Sequence, residues 1–445
     1  MNTPICDFVA AYAKKRALRL HMPGHKGYTL LGVEELDITE IEGADVLYSA
    51  NGIISESEDN ARLLFDSGKT LYSTEGSSLS IRAMLHLAAL WGESVGKDRV
   101  ILAARNAHRV FHSGAALLDL EVEWIYGEGS TLMSCDITPD RLERAVLECD
   151  KRPFAVYLTS PDYLGNMLDI GGLAAVCKRY GILCLVDNAH GAYLRFMREA
   201  SHPLELGAHM CADSAHKTLP ALTGGGYLHI AKGAPGILFE QAENAMSLFA
   251  STSPSYLVLQ SLDLVNKYLD EGYSQKLYRF CILAEAMRSR LIEKGYELIG
   301  DEPLKITLNA KAYGYFGDEI GRWLEDRGIV CEHADMDVTV LMLTPEIGEA
   351  GLSGLEAALL SLEKREPLRT FAPMTCRGVR VMSIREATLR AKERLPVREA
   401  LGRVLADSAV SCPPAVPIAV CGELIDENAV RLFEYYGIDI ISVVC

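Results

Sequence analysis

Residues 182–191 read ILCLVDNAHG, in which an apolar run, Ile182–Val186 (ILCLV), is followed by Asp187, Asn188 and His190. Two earlier runs are similarly apolar, Arg99–Ala103 (RVILA) and Phe154–Leu158 (FAVYL). Strands that are buried on both faces of a parallel sheet have this composition. The three runs therefore predict buried strands.

Amphipathic stretches separate such runs, at Ser80–Trp91 and Gly172–Tyr180, and these predict helices. Alternation of strands and helices predicts an α/β fold, a parallel sheet with helices on both faces. A further short strand, Tyr227–Ile230, follows the glycines Gly224–Gly226. Ligands of such sheets bind at the carboxyl ends of the strands, so the polar residues there are the first candidates for function.

The remainder of the chain predicts smaller units. A helical stretch over Ser255–Lys294 leads to a compact α/β segment at 295–370, and a break at Glu366–Pro373 precedes a C-terminal unit containing CPPAVP (Cys412–Pro417). We therefore predict a large domain at 1–265, a small α/β domain at 266–370 and a C-terminal domain at 371–445.

Composition narrows the class of protein. The chain has 445 residues, enough for two or three domains, with 49% hydrophobic and 23% charged residues, as in soluble globular proteins. A net charge of −16 argues against a nucleic-acid partner; it would favour a cationic small molecule, or serve solubility alone. We find no signal peptide and no run of about 18 apolar residues, so no membrane association is expected. The 12 cysteines include no C-x-x-C pair, which favours reduced thiols and a cytoplasmic location.

Two residues near strand ends carry candidate chemistry. Asp187 follows its strand directly, and such a carboxylate could pair with a protonated pyridine nitrogen or simply cap a turn. Lys217 lies in Ser214–Leu219 (SAHKTL), and a partly desolvated lysine amine can form an imine with an aldehyde. Each residue alone is a weak indication.

A third indication is an anion site. Thr74–Ser78 (TEGSS) stands immediately before the predicted Ser80–Trp91 helix. Unpaired N–H groups and the helix dipole at such an N-terminus favour a phosphate, although an ordinary helix cap has the same sequence. Carboxylate, lysine and anion site together fit pyridoxal 5′-phosphate (PLP).

Histidine spacing does not indicate a metal. His108 and His112 are four residues apart, but Arg109 replaces the glutamate of a zinc-protease helix and no third ligand is evident. His21 and His25 have the same spacing, but the intervening Pro23 makes a helix unlikely to form there. We therefore predict no metal site, and we expect His108 to lie over an aromatic cofactor.

Several motifs in this order make the chain resemble the bacterial Orn/Lys/Arg decarboxylases. They are His21–Gly27 (HMPGHKG), Gly76–Ser78 (GSS), Arg105–His108 (RNAH), Asp187–Gly191 (DNAHG), Ser214–Leu219 (SAHKTL), Thr252–Tyr256 (TSPSY), Ser261–Asp263 (SLD) and Pro413–Glu423 (PPAVPIAVCGE). The resemblance runs from about Arg19 to the C-terminus. It implies a fold-type I, aspartate aminotransferase-like PLP enzyme with a parallel-sheet large domain and smaller α/β C-terminal domains. Because the matching core begins near residue 19, it also implies the short, wingless form of the family.

The resemblance implies roles for individual residues. Lys217 would carry PLP as a Schiff base, Asp187 would pair with the pyridine nitrogen, and His108 would stack on the ring. The remaining cofactor-binding residues would lie around the phosphate or the ring: Gly76, Ser77, Ser78, His190, Ser214 and His216, with Thr252 or Ser253 reaching over from a second subunit. The implied assembly is a homodimer or a dimer of dimers.

The implied activity is decarboxylation of a basic amino acid, arginine first and lysine or ornithine next. Other fold-type I enzymes (an aminotransferase, an aldolase or an α-oxoamine synthase) and a non-catalytic PLP-binding relative are the alternatives. The chain departs from the family pattern at several positions, which puts substrate recognition in question: Arg109, Val110, Asp162, Asn188, Cys412, Ala415 and Cys421.

Overall fold

A computed structural model of the chain describes residues 1–127, 133–370, 372–373, 377–407, 411–412 and 416–445. Its α-helices, in chain order, are α1 (Pro4–Lys14), α2 (Ile53–Phe65), α3 (Gly76–Ser94), α4 (Arg109–Leu117), α5 (Pro139–Glu148), α6 (Ile170–Tyr180), α7 (Ala215–Thr218), α8 (Gly236–Glu240), α9 (Ala242–Phe249), α10 (Tyr256–Asp270), α11 (Tyr273–Lys294), α12 (Gly317–Glu325), α13 (Gly348–Ser361), α14 (Ile384–Leu389) and α15 (Glu427–Tyr435). Its strands are β1 (Lys69–Ser73), β2 (Val100–Ala104), β3 (Glu121–Ile125), β4 (Ala155–Thr159), β5 (Leu183–Asp187), β6 (Met210–Asp213), β7 (Gly226–Ile230), β8 (Leu298–Ile299), β9 (Lys305–Asn309), β10 (His333–Ala334), β11 (Val338–Met342), β12 (Lys392–Pro396), β13 (Ser411–Cys412), β14 (Val416–Pro417) and β15 (Ile440–Val444).

The chain divides into two compact units, which we call the first unit (residues 1–97 and 177–276) and the second unit (residues 98–176 and 277–445). In the first unit four strands have the order β1-β7-β6-β5. The β5–β6 pair is parallel, whereas β7 is antiparallel to both β1 and β6. Every residue of β5 and β7 is buried, as their apolar composition predicts.

In the second unit the strands β4-β2-β3 are parallel neighbours in that order. A separate antiparallel sheet has the order β10-β11-β9-β8, and β12 pairs with the C-terminal β15. An apolar core of this unit includes Val340, Leu405, Phe433 and Val443. These buried side chains join the segment at 295–370 to the C-terminal segment.

The structure moves several predicted boundaries. The strands β2, β4 and β5 each begin and end one residue later than predicted, so Asp187 is the last residue of its strand. The helix predicted from Ser80 begins at Gly76, because tertiary contacts hold Gly76 and Ser77 in the first turn. The helix predicted as continuous over Ser255–Lys294 is two helices, since Gly272 has a φ of +95° that interrupts it.

The domain boundaries at residues 265/266 and 370/371 stay predictions. The Pro-rich block falls partly on residues 413–415, which lie outside the described residues. Within the described ranges, no helix has both the length and the apolar character needed to cross a bilayer.

Candidate active site

Asp187 is the last residue of strand β5, and a tight turn follows it. Asp187 is almost fully buried, and its Oδ1 accepts a hydrogen bond from the Ala189 amide at 3.2 Å. The turn closes with a bond of 2.8 Å from the Gly191 amide to the Asn188 carbonyl. The Asn188 side chain is anchored as well, because its Nδ2 donates to Asp213 Oδ1 at 2.8 Å. Asp187 is therefore held in place by both strand and turn.

Lys217 lies on the short helix α7, which follows β6. Its Nζ is 3.1 Å from Nε2 of His190, the last polar residue of the β5 turn. His190 is buried and Lys217 is half-buried. An imidazole nitrogen at this distance can share a proton with the amine. The β5 turn and the α7 segment, separated in sequence, thus meet at a lysine and a histidine.

The N-terminus of α3 has the features of an anion site. No side chain caps this helix, and its first residue, Gly76, has a φ of +67°. First-turn amides of a helix have no partner within the helix. Ser214 Oγ donates to Ser77 Oγ at 2.9 Å, which brings two hydroxyls together at this end. Ser78 occupies the same first turn.

Glycines let this end of α3 approach strand β7. The Gly76 amide donates to the Gly224 carbonyl at 2.6 Å. A Cβ on Gly226 would lie 2.9 Å from the Gly76 carbonyl carbon and 3.2 Å from the Ser77 nitrogen. Only a residue without Cβ allows this approach, so the glycines that precede the predicted strand shape the anion site.

His216 packs against the same glycines. Its Nδ1 donates to the Gly225 carbonyl at 2.8 Å, and its Cε1 is 3.4 Å from the position of a Cβ on Gly76. Burial lowers the pKa of His216, and the charge of Lys217 lowers it further, against the opposing effect of the Gly225 bond. His216 is therefore neutral at neutral pH.

Thr252 and Ser253 lie in an exposed loop before α10. The loop is fixed at the neighbouring Ser251, whose amide donates to Glu75 Oε1 at 2.7 Å. Glu75 directly precedes Gly76, so the loop lies beside the α3 N-terminus of its own chain. Their predicted contact with a second subunit stays a prediction.

His108 belongs to the second unit, where it is the residue before α4. Its Nδ1 accepts a hydrogen bond from the Val110 amide at 3.2 Å, so the neutral ring carries its proton on Nε2. The predicted stacking on a cofactor stays a prediction. His112, by contrast, is fully buried, and burial lowers its pKa to about 3. His112 is therefore a neutral core residue.

The first unit offers the groups that PLP requires. A lysine amine, a buried carboxylate at a strand end and an uncapped helix N-terminus with paired hydroxyls match the aldehyde, pyridine nitrogen and phosphate of PLP. Sequence reasoning missed the buried groups around Asp213, which anchor Asn188. The available signal in the sequence was a histidine and a cysteine within apolar runs, His229 and Cys211.

Comparison with known proteins identifies a family model and relatives that this chain matches. Residues 3–302 match the family model described as "Orn/Lys/Arg decarboxylase, major domain". The uncharacterized protein YaaO of Bacillus subtilis (strain 168) is 28% identical over 460 residues, covering 97% of this chain and 93% of that protein. The arginine decarboxylase of the same organism is 27% identical over 476 residues, with the same coverage.

Solved structures show the same fold. The lysine decarboxylase LdcF of Francisella novicida matches with a TM-score of 0.79 and 16% identity, over 100% of this chain and 81% of that one. The fold is thus the expected fold-type I α/β architecture. Since the family model matches more than half of the residues, the chain belongs to the Orn/Lys/Arg decarboxylase family, whose members are PLP-dependent amino-acid decarboxylases.

Proposed function

We propose that this protein decarboxylates a basic amino acid, with arginine as first substrate and lysine or ornithine next, and releases the amine and carbon dioxide. The observation that carries the proposal is the contact between Lys217 and His190, a residue of the turn that follows Asp187, in a chain of this family. Arginine stands first because relatives named arginine decarboxylase cover 97% and 96% of the chain.

PLP, when bound, supplies an electron sink for the charge left on the substrate's α-carbon. Lys217 provides the amine that attaches it. Asp187 holds a proton on the ring nitrogen, since a buried carboxylate favours the protonated partner. Ser77, Ser78 and Ser214 bind the phosphate, and the neutral His216 supports this loop without adding charge.

His190 controls the proton on Lys217. Its Nε2 is within hydrogen-bond distance of Nζ, so the imidazole would accept the ammonium proton and keep Lys217 as the neutral amine that holding PLP requires. The half-buried position of Lys217 assists this, because desolvation disfavours the charged amine. The proposal also includes a cytoplasmic homodimer in which Thr252 or Ser253 serves the partner's phosphate.

The test is release of labelled carbon dioxide from 1-¹⁴C-arginine, lysine and ornithine by PLP-loaded protein. We expect turnover of at least one of them without a keto acid, its loss in Lys217→Ala, and its retention in Lys232→Ala, a control at an exposed lysine of the same unit. Borohydride reduction and peptide mapping should place the pyridoxyl label on Lys217. Turnover of an amino acid only when a keto acid is added would make the protein an aminotransferase.

A further inference from the structure

Four side chains with metal-binding atoms gather around β6 and β7, the strands on either side of the Lys217 segment in the sequence. They are His202, Cys211, Asp213 and His229, and all four are fully buried. Cys211 and His229 are direct partners in the antiparallel ladder, and Asp213 lies two residues further along β6. Side chains alternate between the faces of a sheet, so these three share one face. His202 reaches the cluster from the segment before β6.

Three separations among these side chains are close to those around a tetrahedral ion. His202 Nε2 is 3.1 Å from Asp213 Oδ2 and 3.9 Å from Cys211 Sγ, and His229 Nε2 is 3.5 Å from the same Asp213 oxygen. The ligand atoms of His202, Cys211 and Asp213 all lie within 4.8 Å of one another. Zinc bonds of about 2.0–2.3 Å place neighbouring tetrahedral ligands about 3.3–3.8 Å apart. The cluster is within a few tenths of an ångström of that geometry along these three separations.

Hydrogen bonding alone does not satisfy the cluster. Despite its nearness to Asp213, His229 Nε2 lacks the alignment of a hydrogen bond and has no other partner among the described residues. Leaving a buried polar nitrogen without a hydrogen bond is destabilising, because its lost hydration is not replaced. The ion pairs of Asp213 within the described ranges are with His202 and His229. A divalent ion would satisfy the nitrogen and balance the charge at once.

Hydroxyl and amide groups form hydrogen bonds to the candidate ligands, as outer partners do in known metal sites. Nδ1 of His229 is 2.8 Å from Thr70 Oγ1, and Thr70 is in turn 2.7 Å from Ser67 Oγ. The second oxygen of Asp213 accepts from Asn188 Nδ2 at 2.8 Å. Ligating histidines and carboxylates characteristically have such outer partners, which fix the ring tautomer and the carboxylate orientation.

We propose that His202, Cys211, Asp213 and His229 form a structural zinc site. Nitrogen, sulfur and oxygen donors together suit Zn²⁺, and four protein ligands without access to solvent are typical of structural rather than catalytic zinc. Binding displaces the thiol proton of Cys211, so that one thiolate and one carboxylate neutralise the ion. Because Asp213 also holds Asn188, the metal would fix the turn that carries Asp187.

The test measures metal in untagged, PLP-loaded protein after dialysis against metal-free buffer, by inductively coupled plasma mass spectrometry. We expect about one zinc per chain, falling to about a tenth in Cys211→Ser and in His202→Gln. Cys281→Ser, at a half-buried cysteine of α11, is the matched control and keeps the metal. Folded wild-type protein without stoichiometric metal, or a Cys211→Ser protein with full metal, would refute the site.

Cobalt substitution gives a readout that needs no variant. Wild-type protein produced with Co²⁺ in place of zinc should show the visible bands of a tetrahedral ion and the near-ultraviolet band of a cobalt–thiolate bond. Bound cobalt without the thiolate band would exclude Cys211 as a ligand and overturn the proposed set. PLP content and carbon dioxide release, measured on the same samples, test the proposed function separately.

Discussion

Gly226→Ala should weaken PLP binding by acting on the phosphate end of the site. The new Cβ would lie 2.9 Å from the Gly76 carbonyl carbon, 2.9 Å from the Asp213 carbonyl oxygen and 3.2 Å from the Ser77 nitrogen. All three are backbone atoms, so the contacts are relieved only by moving β7 relative to both the start of α3 and the end of β6. Overpacking of this kind costs about 1–3 kcal/mol. If that cost falls on the bound state, the Kd for PLP rises about 5- to 150-fold.

The assay is titration of apoprotein with PLP and, separately, with pyridoxal, which has the same ring and aldehyde but no phosphate. Gly226→Ala should lose affinity for PLP and keep its affinity for pyridoxal. Gly233→Ala is the matched control, because a Cβ there meets no atom within 4 Å. Equal loss for both ligands, or an unchanged Kd for PLP, would refute the assignment of the α3 N-terminus as the phosphate site.

Three further perturbations test other parts of the structure. Asp187→Ala should keep some PLP but lower kcat about 10- to 1000-fold, since a paired charge shifts a pKa by about one to three units; near-normal turnover would make Asp187 a structural cap. Mixing Lys217→Ala with a Thr252→Ala/Ser253→Ala protein should restore activity in hybrid dimers, and no rescue despite confirmed subunit exchange would argue against shared sites. Burial raises the pKa of Glu58 from 4.5 to about 8, against the hydrogen bond from the Tyr72 amide. The folded protein thus keeps a proton that the unfolded chain loses, so the free energy of unfolding should fall relative to Glu58→Gln by up to about 1.4 kcal/mol per pH unit between pH 5 and 8. Urea denaturation at pH 5.5 and 8 measures this, and a pH-independent difference would contradict it.

Local sequence was sufficient for the strands and for the residues at their ends. Apolar runs predict β2, β4 and β5 to within one residue, because a strand that is buried on both faces is apolar at nearly every position. Asp187 follows from such a run by position, whereas Lys217 is indicated by its neighbours in Ser214–Leu219 and by the family resemblance, since no strand is predicted before it. The contact between Lys217 and His190 depends on the order of β5 and β6 in the sheet, which a single sequence does not reveal.

Tertiary contacts explain the errors in helix boundaries. Gly76, Ser77 and Ser78 are weak helix formers, so the sequence predicts a helix only from Ser80. In the structure the Gly76 amide donates a hydrogen bond to the Gly224 carbonyl. Because Gly226 has no Cβ, the first turn of α3 can pack directly against it. The break at Gly272 has a different cause. The apolar periodicity continues across it, and the glycine itself, a residue that commonly ends helices, was the feature of the sequence that could have predicted the break.

The buried cluster around Asp213 shows why some sites cannot be recognised from the sequence alone. Cys211 and His229 are neighbours only through the antiparallel β6–β7 register, and His202 comes from a loop. No short motif links such residues. The histidine spacing that the sequence does show, His108 and His112, gives no metal site, and His112 is a neutral core residue. Ligands that converge across a sheet require the register before they can be recognised.

The departures from the family pattern can now be separated by what each side chain contacts. The side-chain amide of Asn188 donates a hydrogen bond to Asp213. Asp162 closes its own turn, accepting from the Leu164 and Asn166 amides at 2.9 Å each. Asn188 therefore holds a neighbouring carboxylate and Asp162 holds the backbone of its own turn, so both side chains are engaged within the fold.

The C-terminal block is different, because it is tied to a family motif. Arg105 of the RNAH motif donates to the carbonyls of Pro417 and Ile418, at 2.9 and 3.0 Å, and Glu423 accepts from the Val420 amide at 2.7 Å. The buried Cys421 lies between these anchored points, where any change in side-chain volume must be absorbed locally. If the substrate differs from that of the named relatives, the cause should be sought at Cys421 before Asn188 or Asp162.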